Sequence, residues 1–176
     1  MIATIKNFLH TKTVLWLVTL AAVGSLLASL FIQFGLNKQP CNLCILQRIM
    51  VGVVGVVAFL LAIWASFIRP NMQKCGKIIT NIILSIPACV GAGIAIQHIY
   101  IQSLPPDQVP ACGSPIDFMI KTMPVTDVLQ QVLMGSGECA KVDTFLWVPI
   151  PWWSLLFFGG TLVFIWGSWL WAGRKS

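Results

Sequence analysis

The chain has 176 residues, 57% hydrophobic and 9% charged, with a mean hydropathy of +0.87. Soluble domains are about 45–50% apolar and about 25% charged, and so short a chain lacks the interior to hide this much apolar surface. A soluble globular enzyme and a disordered chain are thereby excluded, which leaves an integral membrane protein. The net charge of +6 does not point to nucleic acid, because the eleven basic residues are spread thinly between apolar runs instead of forming one dense face.

Four apolar runs, at about 14–36, 49–68, 78–96 and 150–172, contain no Lys, Arg, Asp or Glu. Each is long enough to cross a hydrocarbon core of about 30 Å as a helix, the conformation in which a segment in lipid satisfies its own backbone hydrogen bonds. The predicted fold class is therefore an all-α membrane protein: a single domain over residues 1–176, built as a four-transmembrane-helix bundle. The first run follows Lys6 and Lys12 but exceeds the 7–15 residues of a signal-peptide core, so it is read as a retained helix. Gly24 with Ala28, Ser25 with Ser29, and Gly52, Gly55, Ala58 and Ala62 recur at the spacing that lets helices approach closely in lipid. Pro87, with Gly91 and Gly93, is expected to bend the third helix.

Charge gives the orientation. All five carboxylates, Asp107, Asp117, Asp127, Glu138 and Asp143, fall within 101–149, where with Lys121 and Lys141 they leave net −3; the remaining nine basic residues make the rest of the chain +9. Lys6, Lys12, Arg69, Lys74, Lys77, Arg174 and Lys175 share one side if the chain crosses four times, and the positive-inside rule puts that side, with both termini, in the cytoplasm. Segments of about 37–48 and 101–149 then face outward, into the periplasm if the membrane is a bacterial inner membrane. Within the longer one, Ser114-Pro115-Ile116-Asp117 has the form of a helix start. Met119, Ile120 and Met123, then Val125, Val128, Leu129 and Val132 up to Gly135, recur at helical spacing. Two short amphipathic helices are expected, lying on the membrane surface or packed on the bundle.

Of six cysteines, Cys41 and Cys44 form a C-x-x-C after Pro40 and just before the second helix. A helix N-terminus favours a thiolate, and Arg48, one turn beyond Cys44, adds positive potential. The spacing to Cys112 and Cys139 is unlike a zinc ribbon, and Ile45 stands where c-type haem attachment needs His; no metal site is expected. Two readings stay open. The four outward cysteines are a structural disulfide framework of an oxidising compartment, or the pairs Cys41–Cys44 and Cys112–Cys139 exchange electrons, one at the membrane surface and one in a mobile outer loop. Cys75 and Cys89 have no partner on their own sides and are assigned no role. Arg48 and His98 are either interfacial side chains or groups that hold a quinone's oxygens, His98 with the further option of relaying a proton.

Taken together, the residues resemble the bacterial disulfide-bond formation protein B (DsbB) family. The resemblance is carried by Pro40-Cys41-x-Leu43-Cys44-x-x-Gln47-Arg48, by His98, by Cys112 ahead of Asp117-Phe118-Met119, by Gly135-Ser136-Gly137-Glu138-Cys139-Ala140 and by Pro151-x-Trp153. It covers nearly the whole chain. One departure is the four residues between Cys112 and Asp117, more than the family pattern carries, which bears on how a partner docks. The resemblance implies a quinone-dependent protein-dithiol oxidase of the inner membrane, using ubiquinone or menaquinone. A reduced DsbA-like thioredoxin-fold partner would attack Cys112 of the Cys112–Cys139 disulfide, Cys139 would be released, and electrons would pass to Cys41–Cys44 and on to quinone. Arg48, His98 and Trp153 match positions near the quinone. The alternatives are a specialised DsbI-like paralogue with a dedicated partner, a vitamin K epoxide reductase-like protein, against which the placement of the C-x-x-C at the second helix argues, and a non-enzymatic membrane scaffold stabilised by disulfides.

Overall fold

A computed structural model of the chain describes residues 2–35, 37, 40–67, 73–105, 108, 116–142, 144–145 and 147–173. Six α-helices dominate: α1 (Ile2–Gly35), α2 (Asn42–Phe67), α3 (Gln73–Ser103), α4 (Ile116–Thr122), α5 (Val125–Met134) and α6 (Ile150–Gly173). A 3-10 turn follows α5 at Gly137–Ala140, and two short strands, β1 (Thr144–Phe145) and β2 (Val148–Pro149), pair antiparallel ahead of α6. The strands were not expected from sequence, because two-residue segments carry no periodicity to read. Between them Trp147, 97% exposed, holds a positive φ of 68°.

The four expected spans are present as α1, α2, α3 and α6, each long and apolar enough to cross a membrane. Their ends differ from the apolar runs. Helix α2 begins at Asn42 and α3 continues to Ser103, so Arg48 and His98 lie inside helices and Cys75 lies in the first turn of α3 instead of a loop. A run of apolar residues marks what lipid requires, whereas the hydrogen-bond ladder continues through polar residues for as long as something satisfies them. Helix α3 passes through Pro87 without interruption.

The bundle closes in the order α1–α2–α3–α6, with the α1–α6 edge the loosest of the four. Helices α1 and α2 meet at Gly55, where an added Cβ would stand 2.8 Å from the Ala22 methyl; the small-residue stripe on α2 is a close approach of two backbones. Gly24 touches nothing comparable. Helices α3 and α6 meet where the Phe158 ring covers Gly91, and are tied by Asn81 Nδ2 donating to the Ile165 carbonyl at 3.2 Å and Trp166 Nε1 donating to Ser85 Oγ at 3.0 Å. Around these contacts lies the main core, with Leu15, Val18, Ala22, Val54, Ala58, Leu84, Ala88, Phe158 and Ile165 buried. Most outward aliphatic and aromatic residues of the spans are exposed, as a lipid-facing surface requires.

A second, smaller cluster sits at the cysteine-bearing end: Leu43 of α2, Ile94 and Ile101 of α3, Met119 of α4, Val128 and Val132 of α5, and Cys139. The two amphipathic helices thus pack on the bundle through one stripe while Phe118, Ile120, Val125, Leu129 and Met134 stay exposed, leaving an apolar surface of the kind that rests on a membrane. Gly135 ends α5 with a φ of 78°, a backbone conformation that requires glycine, and its bare Cα lets the Ile101 Cδ1 methyl pack where a Cβ would stand. The expected helix start at Ser114-Pro115, together with Cys112, Lys38, Arg69 and the C-terminal Arg174 and Lys175, lies outside the described residues.

Candidate functional site

The site is built on the first turn of α2. The Cys41 carbonyl accepts the Ile45 N–H at 3.1 Å, which makes Cys41 the N-cap residue and Cys44 the third helical residue. The Cys41 thiol donates to Cys44 Sγ at 3.2 Å, and both are free thiols. Cys44 Sγ also accepts the Cys41 backbone N–H. The second contact is one half of a capping box, with the Cys44 sulfur in the place that Glu commonly fills. The C-x-x-C spacing therefore does two things at once: it caps the helix and holds two sulfurs in contact.

Helix α3 supplies His98, 1% exposed, from 57 positions beyond Cys41. Its Nε2 lies 3.8 Å from Cys41 Sγ and 3.2 Å from the Cys139 carbonyl, and its Nδ1 lies 3.2 Å from Gln47 Nε2. With Gln47 donating to Nδ1, the proton sits on Nε2 and points at the Cys139 carbonyl. Gln102, one turn on, donates to the Lys141 carbonyl at 3.3 Å and stands 3.5 Å from the imidazole. His98 thus ties three stretches of chain together: the start of α2, the end of α3 and the 3-10 turn.

That turn carries Cys139, fully buried, its N–H bonded to the Ser136 carbonyl at 2.8 Å and its sulfur 3.7 Å from Ser136 Oγ. Its thiol hydrogen-bonds the Cys41 sulfur; that bond first, and burial second, push it well above the ordinary thiol pKa of 9.0. Three of the four sequence-predicted cysteines, Cys41, Cys44 and Cys139, are therefore in one place. Cys112 lies outside the described residues. Cys89 is exposed on α3, and nothing is described of the Cys75 side chain.

Arg48, on the next turn of α2, reaches back to α1. Its guanidinium donates to Gln33 Oε1 and, at 3.2 Å, to the Ser29 carbonyl. These partners are neutral oxygens, so the cation keeps its full charge and part of its donor set for something else. It forms the common wall of two adjoining cavities. One, of about 220 Å³, is lined by Cys41, Cys44, Gln47, Arg48, His98 and Ser154, among others. The second, of about 190 Å³, opens at the loose α1–α6 edge and is mainly apolar, with Leu26, Val51, Phe157 and Trp153 on its walls. Trp153 donates its indole N–H to the Phe145 carbonyl at 3.1 Å, so it meets the second cavity as an apolar ring and not as a donor, and it does not line the first.

Sequence reasoning did not single out Gln33 or Gln102, read Ser29 only as a packing position, and named Gln47 only for its place in a motif. The signal for Gln33 was available: it is a polar amide inside an otherwise apolar span, a position that normally has a bonding partner. Nothing in the sequence marks the Ser29 carbonyl, since every residue has one.

Residues 11–167 match the family model described as "Disulfide bond formation protein DsbB". Among curated relatives, Disulfide bond formation protein B of Chromobacterium violaceum is 41% identical over 160 residues, 90% of this chain and 91% of that one. The proteins of the same name from Acinetobacter baylyi and from Neisseria meningitidis serogroup A are 36% and 34% identical, the first over 81% of both chains, the second over 93% of this chain and 97% of the relative. The chain belongs to the DsbB family.

Proposed function

We propose that this protein is a quinone-dependent disulfide oxidase of a bacterial inner membrane, re-oxidising a DsbA-like dithiol protein on the periplasmic side. The observation that carries the reading is the convergence of Cys41, Cys44, His98 and Arg48 on one cavity at one end of a membrane bundle, with Cys139 buried just behind it, its carbonyl 3.2 Å from His98 Nε2. The charge asymmetry of the sequence supports an outward orientation for that end, with both termini in the cytoplasm.

The thiol chemistry balances in two exchanges. A partner's two thiols become its disulfide while the Cys112–Cys139 disulfide becomes two thiols. Those two thiols then restore their own disulfide by reducing a Cys41–Cys44 disulfide. For the second exchange Cys139 is the sulfur at hand, in the buried cluster that Cys41 packs against. A thiol with a raised pKa is a strong nucleophile once deprotonated but rarely ionised. His98 stands against both the Cys41 sulfur and the Cys139 carbonyl; with its proton moved to Nδ1 and the Gln47 amide turned to accept it, Nε2 can take up the thiol proton and hand it on.

The residues present fit a quinone. A head group with two carbonyl oxygens needs a donor on one side and apolar walls around the ring; Arg48 supplies the first, and Leu26, Val51, Phe157 and the Trp153 ring supply the second. Bound there, a quinone supplies a sink for two electrons and two protons from the reduced Cys41/Cys44 pair. Arg48 favours negative charge at its guanidinium, and Gln33 and the Ser29 carbonyl hold that guanidinium at the wall between the cavities.

The test uses the purified chain in lipid nanodiscs with a reduced thioredoxin-fold dithiol protein and a soluble quinone. One quinone is expected to lose its absorbance per dithiol oxidised. A partner lacking its resolving cysteine is expected to open the Cys112–Cys139 disulfide and accumulate a mixed disulfide at Cys112 with Cys139 released as a thiol, identifiable by mass. Dithiol oxidation without quinone consumption overturns the reading.

A further inference from the structure

One arrangement at the site is not needed for electron transfer. Cys41 Sγ, Cys44 Sγ and a ring nitrogen of His98 all lie within 4.8 Å of one another, with 3.2 Å between the sulfurs and 3.8 Å from Cys41 Sγ to Nε2. Tetrahedral zinc, with Zn–S near 2.3 Å and Zn–N near 2.0–2.1 Å, sets its ligands about 3.5–3.8 Å apart. The two sulfur separations bracket that spacing and the third lies within 4.8 Å, so small side-chain rotations bring the three atoms to three corners of that tetrahedron. They also face an open cavity, so the fourth corner is accessible to water, the arrangement of an open zinc site.

We propose that the reduced Cys41/Cys44 pair and His98 form a binding site for one soft divalent cation, with zinc as the representative ion, and that oxidation of the pair closes it. Binding displaces two thiol protons to solvent and leaves two thiolates on the metal; no electron moves. A Cys41–Cys44 disulfide has no thiolate to offer, so the site exists only while the pair is reduced. His98 ligates through Nε2, which requires its proton to sit on Nδ1. Gln47 is placed to receive it: its amide, 2% exposed and 3.2 Å from Nδ1, accepts from Nδ1–H after exchanging its oxygen for its nitrogen, the outer-shell bond that fixes a ligating histidine.

The inference requires only a reducible thiol pair and holds whether or not quinone is the oxidant. One consequence does rest on the proposed function: a metal-loaded pair cannot give up its electrons, so zinc arrests dithiol oxidation and a chelator restores it.

Zinc alone, in competition with a chromophoric chelator, is titrated into the full chain in nanodiscs after phosphine reduction and after oxidation. Cadmium replaces zinc in a parallel sample to report thiolate ligation by its ultraviolet charge-transfer band. One tight equivalent is expected in the reduced protein and none in the oxidised. Cys44→Ser and His98→Ala each weaken it by more than the roughly 10–100-fold that loss of an outer-shell partner costs, while His98→Cys, which returns a soft ligand to the same position, retains it. Cys89→Ser and Cys112→Ser leave the tight equivalent unchanged. Equal binding by oxidised protein, or full affinity in the His98→Ala variant, overturns the proposal.

Discussion

The middle of the bundle and its cysteine end are made from the same helices in opposite ways. In the middle, α1 meets α2 at Gly55 and Ala22, and α3 meets α6 at Gly91 and Phe158; backbones approach closely, the core is mainly apolar, and its buried polar groups such as Thr19 and Asn81 bond to backbone carbonyls. At the cysteine end the closely packed side chains give way to two cavities, and the groups around them are Cys41, Cys44, Gln47, Arg48 and His98. Stability and chemistry are thus divided along the helix axes. Lipid gives no hydrophobic drive between helices, so the close contacts in the middle hold the helices together and leave the far end free to be spacious and polar.

The strongest way to sharpen that comparison is Cys44→Ser. It is expected to abolish quinone-coupled dithiol oxidation while leaving the thermal unfolding midpoint in detergent almost unchanged, since a serine hydroxyl at this third helical position can accept the Cys41 N–H as the sulfur does; a large drop in the midpoint breaks the division. Arg48→Met comes next. Loss of a charge-assisted hydrogen bond is worth about 1.5–3 kcal/mol, or about 10- to 100-fold in kcat/KM for quinone at 1.36 kcal/mol per decade. Arg48→Lys is expected to recover only part of it, because an ammonium cannot span Gln33 and the Ser29 carbonyl as a planar fork does. Gly55→Leu tests the other region. Overpacking against Ala22 is expected to cost about 1–3 kcal/mol of stability, read from thermal unfolding by circular dichroism, with turnover per folded molecule retained.

Two smaller effects follow. The Cys139 thiol is pushed above 9.0 by its bond to Cys41 and by burial, so the folded state holds this proton more tightly than the unfolded chain. Its stabilising contribution is full below 9.0 and is lost as pH rises from there toward the folded value. The reduced protein is expected to lose more stability over that alkaline range than its Cys139→Ala variant, in thermal unfolding measured against pH. Trp153→Phe is the mildest change. It removes the bond to the Phe145 carbonyl, worth about 0.5–1.5 kcal/mol, keeps an apolar ring on the second cavity, and is expected to leave turnover within about twofold.

Much of this was legible in the chain. The four spans were visible because a helix in lipid must be apolar for about 20 residues, and α4 and α5 because Met119, Ile120 and Met123, then Val125, Val128, Leu129 and Val132, recur at helical spacing. The ends of α2 and α3 were misplaced by several residues, since the apolar run stops where lipid stops and the helix does not. Arg48 and His98 were singled out as polar groups near a thiol pair. Their partners were not. Trp153 was read together with them, and the fold sets it on the second cavity, which Arg48 shares and His98 does not line.

What the sequence by itself determined is local or one-dimensional: which segments cross the membrane, which carry the charge, that Cys41 and Cys44 face one another on one helical turn, and which family the motifs resemble. What only the tertiary structure decided is lateral. It brought His98 to Cys41, Cys139 to Cys41, and Arg48 to Gln33 across a bundle whose α1–α6 edge is loose enough to hold a cavity. The physical reason is that spans apolar on nearly every side carry little record of which neighbour each face will meet. That choice is made by close contacts such as Gly55 on Ala22 and Phe158 on Gly91, and these exist only once the helices are side by side.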